Sequence, residues 1–240
     1  ELNKANNCLM VSIYKEFIKI GSDSELTEVI ECIKNGDYKE DINSIRYAVH
    51  SEDLKTADEI KSKLVGFTTS GTFGTARTKE NITSYSKMIC LDFDKLDHQE
   101  LQEILTIIKI CNYTYVSFIS PSGNGIKVIV KVNCEAEGHE EAYIQVAEHY
   151  KSITGIDYDK KCKDITRLCF ISYDEDIYVN NTSEIFNPTI EIEKIEVNKP
   201  IVNQSSNTDI LLDKCLKFTE QKEQYHEGNR NNFIHLFASN

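Results

Sequence analysis

The sequence predicts a domain that combines helices with a sheet and belongs to the α+β or α/β class. Stretches in which apolar residues recur at helical spacing alternate with short apolar runs typical of buried strands. The chain has 240 residues, of which 40% are hydrophobic, enough for one good-sized domain and part of another. One predicted strand, 86–92, ends at acidic residues, so we expect the sheet to carry them.

Three helices are predicted over residues 24–64. Ser24 is a candidate N-cap for the first helix, whose apolar residues keep helical spacing until Gly36 ends it. Two further periodic stretches follow and lead into a strand over 65–69. The glycine-rich segment 70–77 is predicted to be a loop.

The remainder of the domain alternates strands with helices. The predicted strands are 86–92, 112–119, 126–133, 167–172 and 176–179, and the predicted helices are 97–109 and 138–152. We expect three parts along the chain: this domain over 1–180, a linker rich in Asn, Ser and Pro over 181–207 around a candidate strand at 189–197, and the start of a helical domain over 208–240. The last helix reaches Asn240 without a cap, so the polypeptide is expected to continue.

Charge and cysteine content limit the partners and the compartment. A net charge of -12 argues against broad adhesion to nucleic acid, so any such role needs a local basic groove or metal ions. No apolar run is long enough to span a membrane and no signal peptide is visible. The eight cysteines form no C-x-x-C pair, which argues against a zinc site or a disulfide framework and predicts a reduced, cytoplasmic protein.

Two acids, Asp92 and Asp94, close the predicted strand 86–92. Side chains alternate along a strand, so both carboxylates should project to one side while Phe93 points into the core. Neighbouring carboxylates repel each other unless a cation lies between them, and a hard divalent ion is the usual solution. The alternative is a strand end at which two acids face solvent.

A glycine-punctuated turn, Ser-Pro-Ser-Gly-Asn-Gly at 120–125, precedes the next apolar strand. Its backbone N–H groups at Ser122, Gly123 and Gly125 could cradle a phosphate, to which Lys127 would add a positive charge. An ordinary hairpin loop is the alternative, because these residue types are common in turns.

A third candidate segment is the charged stretch 157–167 before the strand 167–172. Asp164 is placed to complete a metal site, and Arg167 is placed to bind a triphosphate through two hydrogen bonds. Arg77 in the predicted loop could also reach a phosphate. Solvated surface loops are the alternative for both segments. The histidines at 98, 139 and 149 fall in helical stretches and are predicted to be surface residues rather than ligands or bases.

Taken in order, these segments resemble the VirE N-terminal-like domain, found in bacterial proteins often linked to mobile elements, which itself resembles the archaeo-eukaryotic primase superfamily. The resemblance covers residues 67–180. It is carried by segments 70–73 with Arg77, 89–94, 120–127 and 164–172, and segment 227–232 resembles the start of a helical domain that follows primase cores. The resemblance implies an α+β fold with an RRM-like mixed or antiparallel sheet flanked by helices.

In such primases a D-x-D pair and a later acid hold two divalent ions. The resemblance therefore implies that Asp92 and Asp94 bind Mg²⁺ or Mn²⁺, with Asp164 as third ligand and Asp157 as the alternative, while Arg167 contacts phosphate. It also implies nucleotides and a single-stranded DNA or RNA template as partners, together with a C-terminal helical or helicase-type region of the same polypeptide.

One position departs from the pattern: Lys127 stands where many primases have His after this turn. Lysine can neutralise phosphate but cannot act as an imidazole acid or base at neutral pH. The sequence therefore leaves three functions open: metal-dependent nucleotidyl transfer in the DNA replication of a mobile element, a degenerate primase fold that only binds nucleotide or single-stranded nucleic acid, and a structural module of a helicase-like polypeptide.

Overall fold

A four-stranded antiparallel sheet forms the centre of the part of the chain that the computed structural model describes, residues 9–190 apart from 17 and 21. Its strands are β8 (Met88–Phe93), β9 (Thr114–Ile119), β10 (Ile126–Lys131) and β12 (Tyr178–Val179). They lie in the order β12-β9-β10-β8, and every neighbouring pair is antiparallel. The apolar residues of β8 alternate between the two faces, so the sheet has a core on each side.

Two helices cover one face of this sheet, α4 (His98–Ile110) and α5 (His139–Thr154). Leu91 and Phe93 on β8 pack into the same buried cluster as apolar residues of both helices. The carboxylate of Asp97 accepts the backbone N–H groups of Gln99 and Glu100 at 2.8 and 2.9 Å and caps α4. Phe93 therefore points into the core, as the alternation around Asp92 predicts.

The other face of the sheet contributes to a second core. Three helices supply its apolar residues: α1 (Leu26–Asn35), α2 (Lys39–His50) and α3 (Leu54–Ser62). A second antiparallel sheet adds to it and has the order β11-β5-β2-β3. Its strands are β2 (Ile13–Lys15), β3 (Ile18–Lys19), β5 (Val65–Phe67) and β11 (Cys169–Phe170).

Two short ribbons complete the described fold. One pairs β1 (Met10–Val11) with β4 (Ser24–Glu25), and the other pairs β6 (Gly71–Phe73) with β7 (Ile82–Tyr85). Gly71 is required in the second ribbon, because its φ is 144° and a Cβ there would lie 2.0 Å from the Ser84 carbonyl oxygen.

The structure confirms the α+β class and corrects several element predictions. Ser24 does not cap α1: it lies in β4, and Glu28 instead accepts the backbone N–H of Glu25 at 3.3 Å. The predicted loop 70–77 contains β6, because residues 71–73 pair with a strand that follows them in the chain. The predicted strand 167–172 shortens to β11. The sequence prediction did not include β7 or the four short strands that precede α1.

The chain divides into two units, Glu1–Glu191 and Ile192–Asn240, and the described residues belong to the first. The predicted helical domain over 208–240, and the linker and candidate strand beyond residue 190, lie outside the described residues. Within the described part, no helix combines the length and the apolar character needed to cross a bilayer.

Candidate functional site: an acidic and basic cavity beside the central sheet

Six of the nine residues predicted to bind metal or phosphate line a single cavity of about 260 Å³. They come from the central sheet, from the segment after β6, and from the segment before β11: Asp92, Asp94, Lys127, Arg77, Asp164 and Arg167. The chain separates them by up to 90 residues, so only the tertiary fold brings them to one place. The structure thus assembles most of the predicted set around one space.

Lys127 and Asp92 form an ion pair at the wall of this cavity. The two residues face each other directly across the antiparallel strands β10 and β8. The Lys127 Nζ donates to Asp92 Oδ2, and the side chains are only 14% and 9% exposed. Burial by itself would lower the pKa of Lys127, but the charge of Asp92 outweighs it and raises that pKa, so the ammonium stays charged.

The second acid of the pair, Asp94, lies at the more exposed end of the same strand. Partial burial of its carboxyl and the neighbouring charge of Asp92 raise the pKa of Asp94. The remaining Asp92 oxygen, Oδ1, is buried and has no hydrogen-bond partner among the described residues. The two carboxylates therefore hold an unneutralised negative charge and one unsatisfied oxygen.

These two acids fit one divalent cation that arrives with a phosphate ligand. Mg²⁺ is commonly held by one or two carboxylates together with substrate phosphates, rather than by a cage made only of protein groups. The orphaned Oδ1 of Asp92 beside Asp94 meets that requirement. Within the described part of the chain, no three His, Cys, Asp or Glu side chains converge closely enough to hold a metal by themselves. Asp164 shares the cavity without joining such a cluster.

Asp164, Ile165 and Arg167 form another part of the cavity wall. Its Oδ1 accepts the backbone N–H and the hydroxyl of Thr166 at 2.8 and 2.9 Å. Partial burial would raise the pKa of Asp164, but these bonds and the nearby charge of Arg77 hold it below the ordinary value. Arg77 donates to the Thr166 carbonyl, and Ser70 Oγ donates to the Ile165 carbonyl at 2.5 Å.

The two arginines of this wall, Arg77 and Arg167, differ in how available their guanidinium groups are to a ligand. Arg77 is half-buried and already bound to backbone, which fixes the segment 164–167 against the region of β6. Arg167 has a side chain that is 51% exposed and lies 3.9 Å from the Asp159 carboxylate. Arg167 is therefore the more available of the two for a ligand.

The turn 120–125 is a hairpin loop between β9 and β10, and it reaches the cavity through Ser120 and Pro121. The predicted phosphate contacts Ser122, Gly123 and Gly125 are not among the cavity-lining residues. Gly123 has a φ of 80° and faces Arg46 of α2, since a Cβ there would lie 3.1 Å from Arg46 Cγ. The hydroxyl of Ser122 lies 3.0 Å from that of Ser120.

Gly125 allows the close approach of the hairpin to the end of β8. A Cβ at this position would lie 2.6 Å from the Phe93 carbonyl oxygen and 2.9 Å from Asp94 Oδ1. The missing side chain therefore lets the hairpin lie directly against Asp94. Asp157, the alternative third acid, pairs with Lys151 at 2.5 Å and is likewise not among the lining residues.

The cavity is locally basic in an acidic protein. Its lining contains four cationic side chains, Lys61, Arg77, Lys127 and Arg167, against three carboxylates, whereas the chain carries a net charge of -12. A second cavity of about 600 Å³ shares Arg77, His139 and Asp164 with the first. Its other charged lining residues are Lys79, Lys161, Lys163, Glu137 and Glu140, of which Lys163 and Glu140 form an ion pair. The excess of cationic over acidic side chains in the first cavity favours an anionic ligand at a place where the whole chain would repel one.

Sequence reasoning missed several lining residues, of which His139 is the clearest. The prediction that His139 is a surface residue is wrong: it is 5% exposed, and its Nδ1 lies 2.9 Å from the Tyr85 hydroxyl. Burial lowers the pKa of His139 to about 4, so the imidazole is neutral at pH 7. Its position as the first residue of α5 gave no signal of burial, since His98 begins α4 in the same way and is exposed.

Three cysteines also line the cavity: Cys90, Cys162 and Cys169. Cys90 Sγ and Cys169 Sγ lie 4.0 Å apart, and their hydrogen bond together with burial raises the pKa of Cys90. Burial raises the pKa of Cys162 to about 12. Cys90 and Cys162 are therefore neutral thiols at pH 7 and contribute apolar lining rather than charge.

Comparison with known families supplies one match. The family described as BT4734-like, N-terminal domain matches residues 59–179, which is half of the chain and extends from α3 to β12. Neither the curated proteins nor the solved structures yield a match. The matched stretch contains every one of the six predicted residues that line the cavity. The chain belongs to the family of proteins with a BT4734-like N-terminal domain.

Proposed function

We propose that the cavity binds the phosphates of a nucleotide in a primase-like domain that catalyses metal-dependent nucleotidyl transfer. One observation carries the proposal: acids suited to a divalent ion and cations suited to phosphate, predicted from four separate segments, line one cavity. The resemblance of these segments to the VirE N-terminal-like domain and to primases supplies the reaction class.

The residues of the cavity have distinct functions in this proposal. Asp92 and Asp94 hold Mg²⁺ or Mn²⁺ together with the phosphates, and Asp164 remains the candidate for a further ligand. Arg167 binds phosphate through its planar guanidinium, and Lys127 adds a compact positive charge. When bound, the ion lowers the pKa of the attacking hydroxyl and neutralises the triphosphate. Arg77 holds the wall formed by 164–167 in place.

The cellular setting is part of the proposal. A primase-like domain of this kind would serve the DNA replication of a mobile element in the cytoplasm. It would copy a single-stranded DNA or RNA template and work with a C-terminal helical or helicase-type region of the same polypeptide. The four cationic side chains that line the first cavity, Lys61, Arg77, Lys127 and Arg167, support an anionic partner.

A second candidate function is binding without chemistry. The observation that favours it is the buried ion pair between Lys127 and Asp92, because the ammonium already occupies one oxygen of a predicted metal ligand. In that case the domain would hold a nucleotide or single-stranded nucleic acid without transferring a nucleotidyl group. Both candidates use the same cavity, and they differ in whether the carboxylates are needed.

The test is primer synthesis on single-stranded DNA with labelled nucleotides and Mg²⁺ or Mn²⁺. The wild-type chain is compared with the double variant Asp92→Asn/Asp94→Asn and with the control Asp157→Asn, an acid outside the cavity lining. We expect product from the wild type and the control and none from the double variant. Equal product from all three would refute the assignment of the acids. Nucleotide binding by all three without product would favour the binding function.

A further inference from the structure

We infer that Lys127 couples the binding of a divalent cation to the binding of phosphate, by leaving Asp92 for the phosphate when both ligands enter. The inference rests on the proposed function and adds to it an order of events that the resemblance to primases does not contain. It follows from the contacts of one ion pair and of the oxygen atoms around it.

The first step is the position of the pair. Lys127 and Asp92 face each other across adjacent strands, and both side chains are on the face of the sheet that carries the cavity. Oppositely charged side chains at directly opposite positions of two antiparallel strands are close enough to stabilise each other. Asp92 Oδ2 therefore already has a charged partner in this structure.

The second step is competition for that oxygen. A divalent cation needs oxygen ligands at about 2.0–2.1 Å for Mg²⁺, a distance that leaves no room for an ammonium on the same lone pairs. Of the two Asp92 oxygens, Oδ1 is the one that has no hydrogen-bond partner among the residues the structure describes. A cation arriving alone would meet Asp94, this single oxygen and the repulsion of the adjacent ammonium. Binding of the cation alone should therefore be weak.

The third step is the free-energy cost of separating Lys127 from Asp92. The side chains of the pair are only 14% and 9% exposed, so removing Lys127 without replacement would leave a buried carboxylate unpaired. A phosphate in the cavity gives the ammonium a new anion, and the cation gives Asp92 a new partner. Exchange of both partners together keeps every buried charge compensated, whereas either exchange alone does not. The two ligands should therefore bind with positive coupling, typically 5- to 150-fold in affinity.

The first experiment measures binding of Mn²⁺ alone, by the electron paramagnetic resonance signal of free Mn²⁺. Lys127→Met removes the charge and keeps the length of the side chain. We expect this variant to bind Mn²⁺ at least roughly tenfold more tightly than the wild type, and Lys127→Met/Asp92→Asn to lose that gain. Equal Mn²⁺ affinity in the wild type and in Lys127→Met would overturn the inference.

The second experiment does not depend on the folding of Lys127→Met. Asp92→Asn is nearly isosteric and releases the ammonium from its partner. We expect it to bind ATP in EDTA several-fold more tightly than the wild type, because Lys127 no longer has to leave a carboxylate. Unchanged or weaker ATP binding in EDTA would contradict the coupling. Asp157→Asn is the matched control.

The two assays separate failure of the inference from failure of the proposed function. If no variant binds ATP, the proposed nucleotide site fails, while the Mn²⁺ measurement still reports whether Lys127 blocks Asp92. If ATP binds but Lys127→Met gains no Mn²⁺ affinity, the nucleotide site stands and the exchange is wrong. Inorganic tripolyphosphate in place of ATP tests whether the phosphates alone produce the effect.

Discussion

The Tyr85 hydroxyl and the Nδ1 atom of His139 lie 2.9 Å apart at the start of α5, and their rings meet edge to face at 5.6 Å. This contact joins the ribbon that contains β7 to α5, and Tyr85 packs against the same buried cluster as the apolar residues of that helix. It buries a histidine beside two cavities that also contain Asp164. A histidine held neutral in this way links the stability of the fold to pH.

His139 should make the protein less stable as the pH falls from about 6.5 towards 4. Burial, only partly offset by the charge of Asp164, lowers its folded-state pKa to about 4 from the ordinary value of 6.5. Between these values the unfolded chain binds a proton that the folded chain does not, so the free energy of unfolding decreases with decreasing pH. The full effect is on the order of 3 kcal/mol.

The measurement is urea unfolding at a series of pH values between 7 and 4.5. His139→Asn keeps a group that can accept or donate towards Tyr85 but does not titrate, so its stability should fall less steeply. His98→Asn is the matched control, because His98 is also the first residue of a helix but is exposed. A pH dependence that is identical in the wild type and in His139→Asn would show that this histidine is not responsible.

Arg46 of α2 should contribute strongly to stability by joining two loops. Its Nη2 donates to the Tyr173 carbonyl at 2.8 Å and to the Ser120 carbonyl at 3.3 Å. Arg46→Met keeps the apolar stem and removes both donors, and should lower the free energy of unfolding by about 2–3 kcal/mol. Lys39→Met is the control on the same helix, since Lys39 is exposed and its Nζ lies over the ring of Tyr173, 4.7 Å from the centroid. If both variants lost the same unfolding free energy, the hydrogen bonds of Arg46 to the two loops would not be the cause.

Gly125→Ala should damage both the fold and the site. The new Cβ would lie 2.6 Å from the Phe93 carbonyl oxygen, so the hairpin has to move away from β8 and from Asp94. We expect a loss of about 1–3 kcal/mol in unfolding free energy and weaker Mn²⁺ binding in the presence of ATP. Gly74→Ala meets its nearest atoms at 3.7 and 3.8 Å and should be tolerated. A Gly125→Ala protein with wild-type stability would refute the close approach.

The two arginines of the cavity wall should separate binding from stability. Arg167→Gln should weaken ATP binding roughly tenfold and leave the melting temperature unchanged, because its side chain is half exposed. Arg77→Gln should weaken ATP binding and also destabilise the fold by about 1–2 kcal/mol, because it removes the bond to Thr166. Calorimetric binding and thermal melting of both variants provide the comparison. A fall in melting temperature for Arg167→Gln alone would show that Arg167, and not Arg77, stabilises the fold.

Local patterns were sufficient for the long elements of the fold. Apolar residues at helical spacing predicted all five described helices, and apolar runs predicted the three long strands of the central sheet to within a few residues. These elements are long enough for one periodic face to be recognised. The strands before α1 and the ribbon of β6 and β7 have two to four residues each, so they carry no period of their own and exist through pairing with distant strands.

The features of the candidate site also divide into those that the sequence predicted and those that depend on tertiary contacts. The pattern of the sequence by itself determined a fold that mixes helices and strands, and the family resemblance pointed to the α+β class. The sequence also identified Asp92, Asp94, Lys127, Asp164 and Arg167 as charged residues near the ends of apolar strands, and Arg77 as a cation in a glycine-rich segment. Only the tertiary structure decided that these six line one cavity, that Lys127 pairs with Asp92, and that His139 is buried beside them. Contacts of this kind depend on strand register and on the packing of layers, which local spacing does not encode.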